Sequence, residues 1–571
     1  MFGQKSKVMN TEHASRPRAR LRSLRRIALV GAIVAAALLW GLLGPDKPIR
    51  VSRETTFLTE PLAADGLPDY RAAMLAAIGP APKPEDNAAA EHLQVMWPLS
   101  FEEADLPMVC KALGIPNVAP ADPLQSPTRW VEKKVKSEDF SASQTRPWTV
   151  AEFPELDAWL IAHEAAIDRL VAASDRPQYW LPDPSLLGSK DGESLLTSGV
   201  ALPRERFVAS ALCCRGMWHA GAGRHAAAWR DIRAVYRFSR LISGPSRVKQ
   251  SLVTVYQAGH ASTAADAALT CGLLALPDLP EEVLLEIRRD LDALGSLPNL
   301  ADALSGERLE TIDWLVWLNR LPGGRAARRH ALDFPTIQDK GSDGEPERSW
   351  RSWFQLMWWR LYTLEQAAVS TSLDWNQVLG RANAYFDALD AAVRLPTHAA
   401  QVAAFERLKQ EYGLGPRSEW SKAGTVFQGL ISRNRRGKVL GDLLLPASSS
   451  LPSSLARLQA SFDLARTAAA LAAWKADHTG GNDPYPETLD ALVPRYLSAV
   501  PHDPFIEKPF RYERRGEGYV LASVDKNRVY DGGNNRDGWI VGAEWQATEQ
   551  KVDGNKTDLV VRMPVPPAAA R

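Results

Sequence analysis

The sequence predicts a mainly α protein of helical hairpins with repeat-like character, closed by a small C-terminal α+β module and preceded by a single N-terminal transmembrane helix. Three observations predict this. Apolar residues recur at i, i+3, i+4 and i+7 through most of the middle of the chain. Strand-like runs separated by turn residues come only near the C-terminus. One uncharged apolar stretch near the start is long enough to matter to a bilayer.

At 571 residues the chain calls for more than one domain. Apolar residues at 45% and charged residues at 24% form a globular balance that argues against wholesale disorder. Lys plus Arg (68) nearly cancels Asp plus Glu (67), so no global basic field points to nucleic acid. Cys110, Cys213, Cys214 and Cys271 are too few for a disulfide-dense scaffold and show no CxxC or Cys/His ligand spacing. The organisation read along the chain is a basic cytoplasmic tail (1–26), a signal-anchor (27–44), a proline-punctuated helical region (45–205), a helical-hairpin domain (206–445) and a C-terminal module (453–571).

The anchor is read from its flanks. Lys5, Lys7, Arg16, Arg18, Arg20, Arg22, Arg25 and Arg26 precede it against the single acid Glu12. Ile27 to Gly44 (IALVGAIVAAALLWGLLG) follows without a charge, and at 1.5 Å per residue it spans about 27 Å. Trp40 suits the far interface, and the basic flank places the N-terminus in the cytoplasm and the bulk of the chain outside it. A cleaved signal peptide would carry an A-x-A-like site soon after a shorter core. Here the core closes with Leu-Leu-Trp-Gly-Leu-Leu-Gly and Pro45, so an uncleaved anchor is the expectation, with cleavage and a buried soluble helix as the other readings. No Cys stands directly after the run, at Pro45 to Arg53, to carry a lipid anchor.

Helices are expected at 69–78 and 86–97, each opened by a capping Asp. The stretch 115–148, dense in Pro, Ser and Asp, reads as a long surface loop, and 150–174 as one helix. Within that helix His163 beside Glu164 is not a metal pair, because helical neighbours diverge by about 100°; it reads as a structural histidine. Residues 207–243 read as two amphipathic helices joined at Gly221-Ala222-Gly223, with Gly216 and Ala228 small at the crossing. This spacing resembles a tetratricopeptide-like hairpin, although Arg215 and His219 stand where that repeat prefers apolar and aromatic side chains. A second hairpin is expected from 248–273 and 279–294.

Trp314, Trp317, Trp350, Trp353, Trp358, Trp359 and Trp375 cluster in sequence. They can form an aromatic platform for a glycan or peptide, or face a core between helices; the neighbouring Leu315, Leu318, Phe354 and Leu361 favour the core. Glu307, Arg308 and Asp313 beside them read as a helix-surface charged group. Further helices are expected at 374–394 and 398–412, and Pro446 with the following serines reads as a domain boundary.

The C-terminal stretch opens with a long amphipathic helix, 455–478, stopped by Gly480-Gly481. A short helix at 487–493, β-runs at 509–513 and 518–524 around a turn at 514–517, an Asp/Asn/Gly-rich loop (525–538) and a last strand at 558–562 follow. In order and wording this resembles the globular part of the type II secretion major pseudopilin. The matching residues are Tyr485-Pro486, Leu489 and Leu492, Val500-Pro501-His502-Asp503-Pro504-Phe505, Pro509-Phe510-Arg511-Tyr512, and Ser523, Asn527 and Asp531-Gly532-Gly533. The resemblance implies a Ca²⁺ site built from oxygen ligands, carried over to Ser523, Asn527, Asp531 and, past an insertion, Asp558, with Asp537 as a substitute for the last and Asp525 as a replacement ligand. The sequence departs from the family where Glu507, Asp525 and Arg528 stand in place of glycines and Asn527 in place of a carboxylate. Arg528 is expected to bring a cation into the loop, and a polar turn using Asn, Asp and Gly for its backbone angles accounts for the same residues without metal. The whole chain also resembles a group of uncharacterised bacterial membrane-anchored proteins through Asp65-Gly66, Asp69-Tyr70 and Pro84-Glu85-Asp86-Asn87-Ala88-Ala89, which implies architecture and location but no activity.

The functional expectation is a non-enzymatic, membrane-anchored extracytoplasmic protein that binds or assembles envelope material, related to secretion or pilus-like systems. Its partners would be the membrane through 27–44 and an envelope protein or cell-surface partner, not nucleic acid. The alternative is an extracytoplasmic hydrolase with its site in the helical region. No HExxH, GxSxG, P-loop or dinucleotide glycine pattern supports that alternative.

Overall fold

The computed structural model describes residues 28–33, 36, 44–97, 103–130, 135–182, 184–188, 194–195, 203–243, 267, 269–295, 300–322, 324, 372–412, 451–478, 484–530, 532 and 558–563. The protein is mainly helical with a small sheet component. Its described α-helices are α1 (Tyr70–Ile78), α2 (Ala88–Val95), α3 (Leu106–Leu113), α4 (Pro127–Trp130), α5 (Ser137–Ser143), α6 (Pro154–Ala162), α7 (Glu164–Ser174), α8 (Pro184–Leu187), α9 (Pro203–Gly221), α10 (His225–Ile242), α11 (Glu281–Leu294), α12 (Leu300–Arg320), α13 (Trp375–Val393), α14 (His398–Tyr412) and α15 (Leu451–Asp477). The strands are β1 (His502–Asp503), β2 (Lys508–Pro509), β3 (Arg511–Arg515), β4 (Gly518–Ser523) and β5 (Leu559–Met563).

The chain divides into two compact units. One holds residues 1–57, 318–383 and 414–445. In its described part, the strap after the apolar run is fastened to the start of α13. Asp46 accepts from the Leu373 amide (2.8 Å) and the Trp375 indole (3.2 Å), Lys47 pairs with Asp374 (2.5 Å), and Asn376 donates to the Pro48 carbonyl (2.9 Å).

The other unit holds 58–317, 384–413 and 446–571. Its centre is the α9–α10 hairpin. A Cβ on Gly216 would sit 3.4 Å from the Ala228 carbonyl, the close approach expected of those two small residues. Gly223 turns the chain at φ 71°, a left-handed angle that glycine adopts without strain. α10 packs on α7 and α11, and its amphipathic face buries Trp229, Ile232, Val235, Tyr236 and Phe238, with Tyr236 meeting Phe462 of α15 and Phe238 meeting His92 of α2. α11 in turn packs on α15, whose apolar face covers β4 and β5. Every residue of β4 is buried, and the antiparallel order β3-β4-β5 places it at the middle.

Several expectations change here. The helix expected over 150–174 breaks into α6 and α7 at His163, whose Nδ1 lies 2.8 Å from the Trp159 carbonyl and whose ring meets Trp130 edge-on. Burial lowers its pKa, consistent with a neutral structural histidine. The stretch 115–148 is not a surface loop throughout: it contains α4 and α5 and buries Leu124, Val135 and Trp148. α15 starts at Leu451 rather than 455, with Pro452 in its first turn, where a missing N–H costs nothing. The short helix at 487–493 is a 3₁₀ turn, Leu489–Leu492. The hairpin turn narrows to Gly516-Glu517, and the β1–β2 pair was not anticipated.

Glu307, Arg308 and Asp313 go separate ways instead of forming one group. Glu307 is buried, Arg308 pairs with Asp387 (2.7 Å), and Asp313 accepts from Ser194 Oγ and the Leu195 amide (2.9 Å each). Trp314 and Trp375 are core residues. Trp350, Trp353, Trp358 and Trp359, all of 248–266, the Gly480-Gly481 stop and most of the 27–44 run lie outside the described residues.

The shared opening motifs are structural. Asp69 caps α1 by accepting from the Ala72 amide (2.9 Å). Asn87 is fully buried: its Oδ1 accepts from the Ala89 and Trp180 amides, and its Nδ2 donates to the Trp180 carbonyl (2.8 Å), tying the start of α2 to residues 178–180.

Candidate functional site

Of the sequence-predicted residues, Ser523 closes β4, Asp525 and Asn527 follow it in the next turn, and Asp558 stands directly before the neighbouring β5. Asp503, 1% exposed, organises the approach: its Oδ1 accepts from the Phe505 amide (3.0 Å) and its Oδ2 from the Val524 amide (2.8 Å). One carboxylate thus joins the β1–β2 turn to the end of β4. Burial pushes its pKa up, and those two backbone hydrogen bonds and the Ser523 hydroxyl oppose the shift.

Ser523 is fully buried, and its Oγ accepts from the Asp525 amide (3.3 Å). Asp525 is 0% exposed and left-handed, φ 53°. Its Oδ2 lies 3.0 Å from an Arg457 guanidinium nitrogen, an ion pair without the alignment of a hydrogen bond. Burial raises the Asp525 pKa, opposed chiefly by Arg457. Asn527 Oδ1 accepts from the Val529 amide (3.0 Å), an Asx turn. Asp558 is buried immediately before β5. Asp531 and Asp537 lie outside the described residues.

Arg528 departs from its expected role. It is exposed, and its backbone amide closes the turn on the Asp525 carbonyl (3.1 Å). The cation facing Asp525 comes from α15 instead. Arg457 was missed in the sequence, where its signal was a lone charge among Ala456, Leu458 and Ala460 on a helix face that the structure buries. Among the described residues, no group of three His, Cys, Asp or Glu side chains is placed to hold a metal ion.

The backbone offers a regularity of its own. Of the described non-glycine residues with positive φ, three are Glu507 (57°), Asp525 (53°) and Arg528 (59°), and Phe57 (59°) is the fourth.

A second buried charge centre lies in the α9–α10 hairpin. Arg215, 1% exposed, donates Nε to Asp231 Oδ2 (2.8 Å), a terminal nitrogen to Asp231 Oδ1 (2.7 Å) and the other to Asp168 Oδ1 of α7 (2.8 Å). Burial works against the Arg215 charge, but the two carboxylates outweigh it and raise its pKa. His219 accepts from Arg224 Nε at Nδ1 (2.9 Å). Burial first, then Arg215, Arg224 and Arg230, lower its pKa to about 3. A histidine so depressed stays neutral at physiological pH and is too weak a base for proton transfer there. The four cysteines are buried free thiols, and burial pushes Cys214 up to about 12, so it is no nucleophile at neutral pH.

Comparison of the chain with family models, with curated proteins and with solved structures finds no match.

Proposed function

We propose that the protein is a non-enzymatic, membrane-anchored extracytoplasmic protein that binds or assembles envelope material through a pseudopilin-like C-terminal region. The observation that carries this reading is the left-handed backbone at Glu507, Asp525 and Arg528, the positions where the resembled family has glycine. Bulky residues rarely enter that conformation, because their Cβ crowds the carbonyl. Three such angles at the three matching positions support inheritance of the turn geometry despite replacement of the glycines. The three-stranded sheet over one long apolar helix supports the same reading.

The anchor is the finer part of the proposal. Leu29, Val30 and Ile33, on the described helical turn at 28–33, are 61%, 59% and 58% exposed, which is costly in water and favourable in lipid. The α9–α10 hairpin is read as one unit of a repeat-like array whose faces bind a partner.

The test uses the full chain in cells. A reporter active only outside the cytoplasm, fused after Arg53, is expected to be active, and the chain is expected to stay with membranes through an alkaline wash. Photo-crosslinkers at exposed positions of β3 are expected to capture proteins of the same compartment. An inactive reporter with cytoplasmic crosslinks contradicts the proposal, and so does release by the wash.

A further inference from the structure

The Ca²⁺ that the pseudopilin resemblance implies needs several oxygens converging on one point, and among the described residues no three His, Cys, Asp or Glu side chains are placed to hold a metal ion. Ser523 Oγ, Asn527 Oδ1 and both Asp503 oxygens each accept a backbone N–H. Two of the candidate carboxylates, Asp525 and Asp558, are buried. Asp525 is 0% exposed, and in its charged form it requires positive charge close by. A guanidinium supplies that charge: Arg457 reaches it at 3.0 Å from the buried face of α15, while its own side chain is 19% exposed. Arg528 stands outside this position and contributes its backbone N–H to close the turn.

We propose that the Arg457 guanidinium is the resident cation of this loop, taking the place a metal ion would hold, so that the turn after β4 is ordered by α15 without metal. The loop's order is then set by how α15 packs on β4 and β5 rather than by the ions of the surroundings. A carboxylate on a left-handed turn and a cation one helix away form a single electrostatic latch. Without Arg457, Asp525 loses the guanidinium 3.0 Å from its carboxylate while it stays fully buried.

Amide exchange of the full chain in detergent, followed over 519–525 and 559–563, tests the latch. The wild type is expected to exchange equally in millimolar Ca²⁺ and in chelator. Arg457→Gln is expected to accelerate exchange at these amides about tenfold or more, because it strands a buried carboxylate. Arg457→Gln combined with Asp525→Asn is expected to return to within about threefold of wild type, because it removes both charges while Asn still tolerates the left-handed angle. Arg457→Lys is expected to fall between, as it keeps the charge but not the reach of the fork. Wild-type exchange slowed about tenfold by Ca²⁺ overturns the proposal, as does an Arg457→Gln chain protected like wild type. If Arg457→Gln alone does not fold, a folded double variant supports the latch and a double variant equally damaged overturns it.

Discussion

Two aspartates in this protein are fully buried against an arginine, and they are held in opposite ways. Asp231 in the α9–α10 hairpin meets Arg215 through two aligned hydrogen bonds, and Arg215 reaches a third acceptor on α7. Asp525 meets Arg457 through one unaligned approach, from a turn whose backbone is left-handed. The first pair sits between three regular helices, so its geometry is fixed on both sides. The second joins a helix to a loop, and only one side is fixed. The difference teaches that residue type and burial do not define a role: the bidentate pair sets helix register, whereas the single pair tethers a turn.

The largest effect is expected at the hairpin. Arg215→Met removes both guanidinium hydrogen bonds from the buried Asp231 and leaves only Arg230, at 3.8 Å, as a nearby cation among the described residues, which should cost about 3–5 kcal/mol and be read as faster amide exchange across α9 and α10. Adding Asp231→Leu should restore most of that loss, since an apolar pair of similar volume replaces the charges. A double variant no more stable than the single one breaks the register account.

The next effect sharpens the contrast through pH. The His219 ring packs beside Asp231, with Arg215, Arg224, Arg230 and Asp168 around it, and its folded pKa is about 3 against 6.5 ordinarily. Because the unfolded chain takes the proton first, the stabilisation is full above about pH 6.5 and is lost as pH falls toward 3. The slope from this ring is at most about 1.4 kcal/mol per pH unit. His219→Gln should flatten the denaturation midpoint of the hairpin over that window; an unchanged slope would mean that the ring is not buried neutral.

Much of the helical layout was legible because local signals coincide with packing. Asp69 caps α1, Glu281 and Glu282 open α11, and the small residues Gly216 and Ala228 mark the crossing, whereas α2 is capped by Asn87 and not by the expected Asp86, which lies in the 3₁₀ turn Pro84–Asp86. The break at His163 was not legible, because no Pro or Gly marks it and the apolar spacing runs through. The buried parts of 115–148 were hidden by their polar composition, although Leu124, Val135 and Trp148 anchor them. In the C-terminal site, Ser523 and Asp525 were legible from motif order. Arg457 was not, since it lies far from the loop in sequence and meets Asp525 only through the packing of α15 on the sheet. Arg215 and His219 stood out as misfits in an apolar stripe, but their partners Asp168 and Asp231 become visible only in three dimensions.

The central claim is that the C-terminal turns have kept a glycine-type backbone under non-glycine residues, and glycine substitution tests it most directly. An exposed residue replaced by glycine ordinarily destabilises, because the unfolded chain gains freedom. At Glu507 and Arg528, both exposed and at φ 57° and 59°, relief of left-handed strain should outweigh that entropy. Glu507→Gly and Arg528→Gly are each expected to slow exchange in β4 and β5 of the full chain by an amount worth roughly 0.5–1 kcal/mol, whereas Lys526→Gly in the same turn should accelerate it. Faster exchange in all three variants would contradict the account.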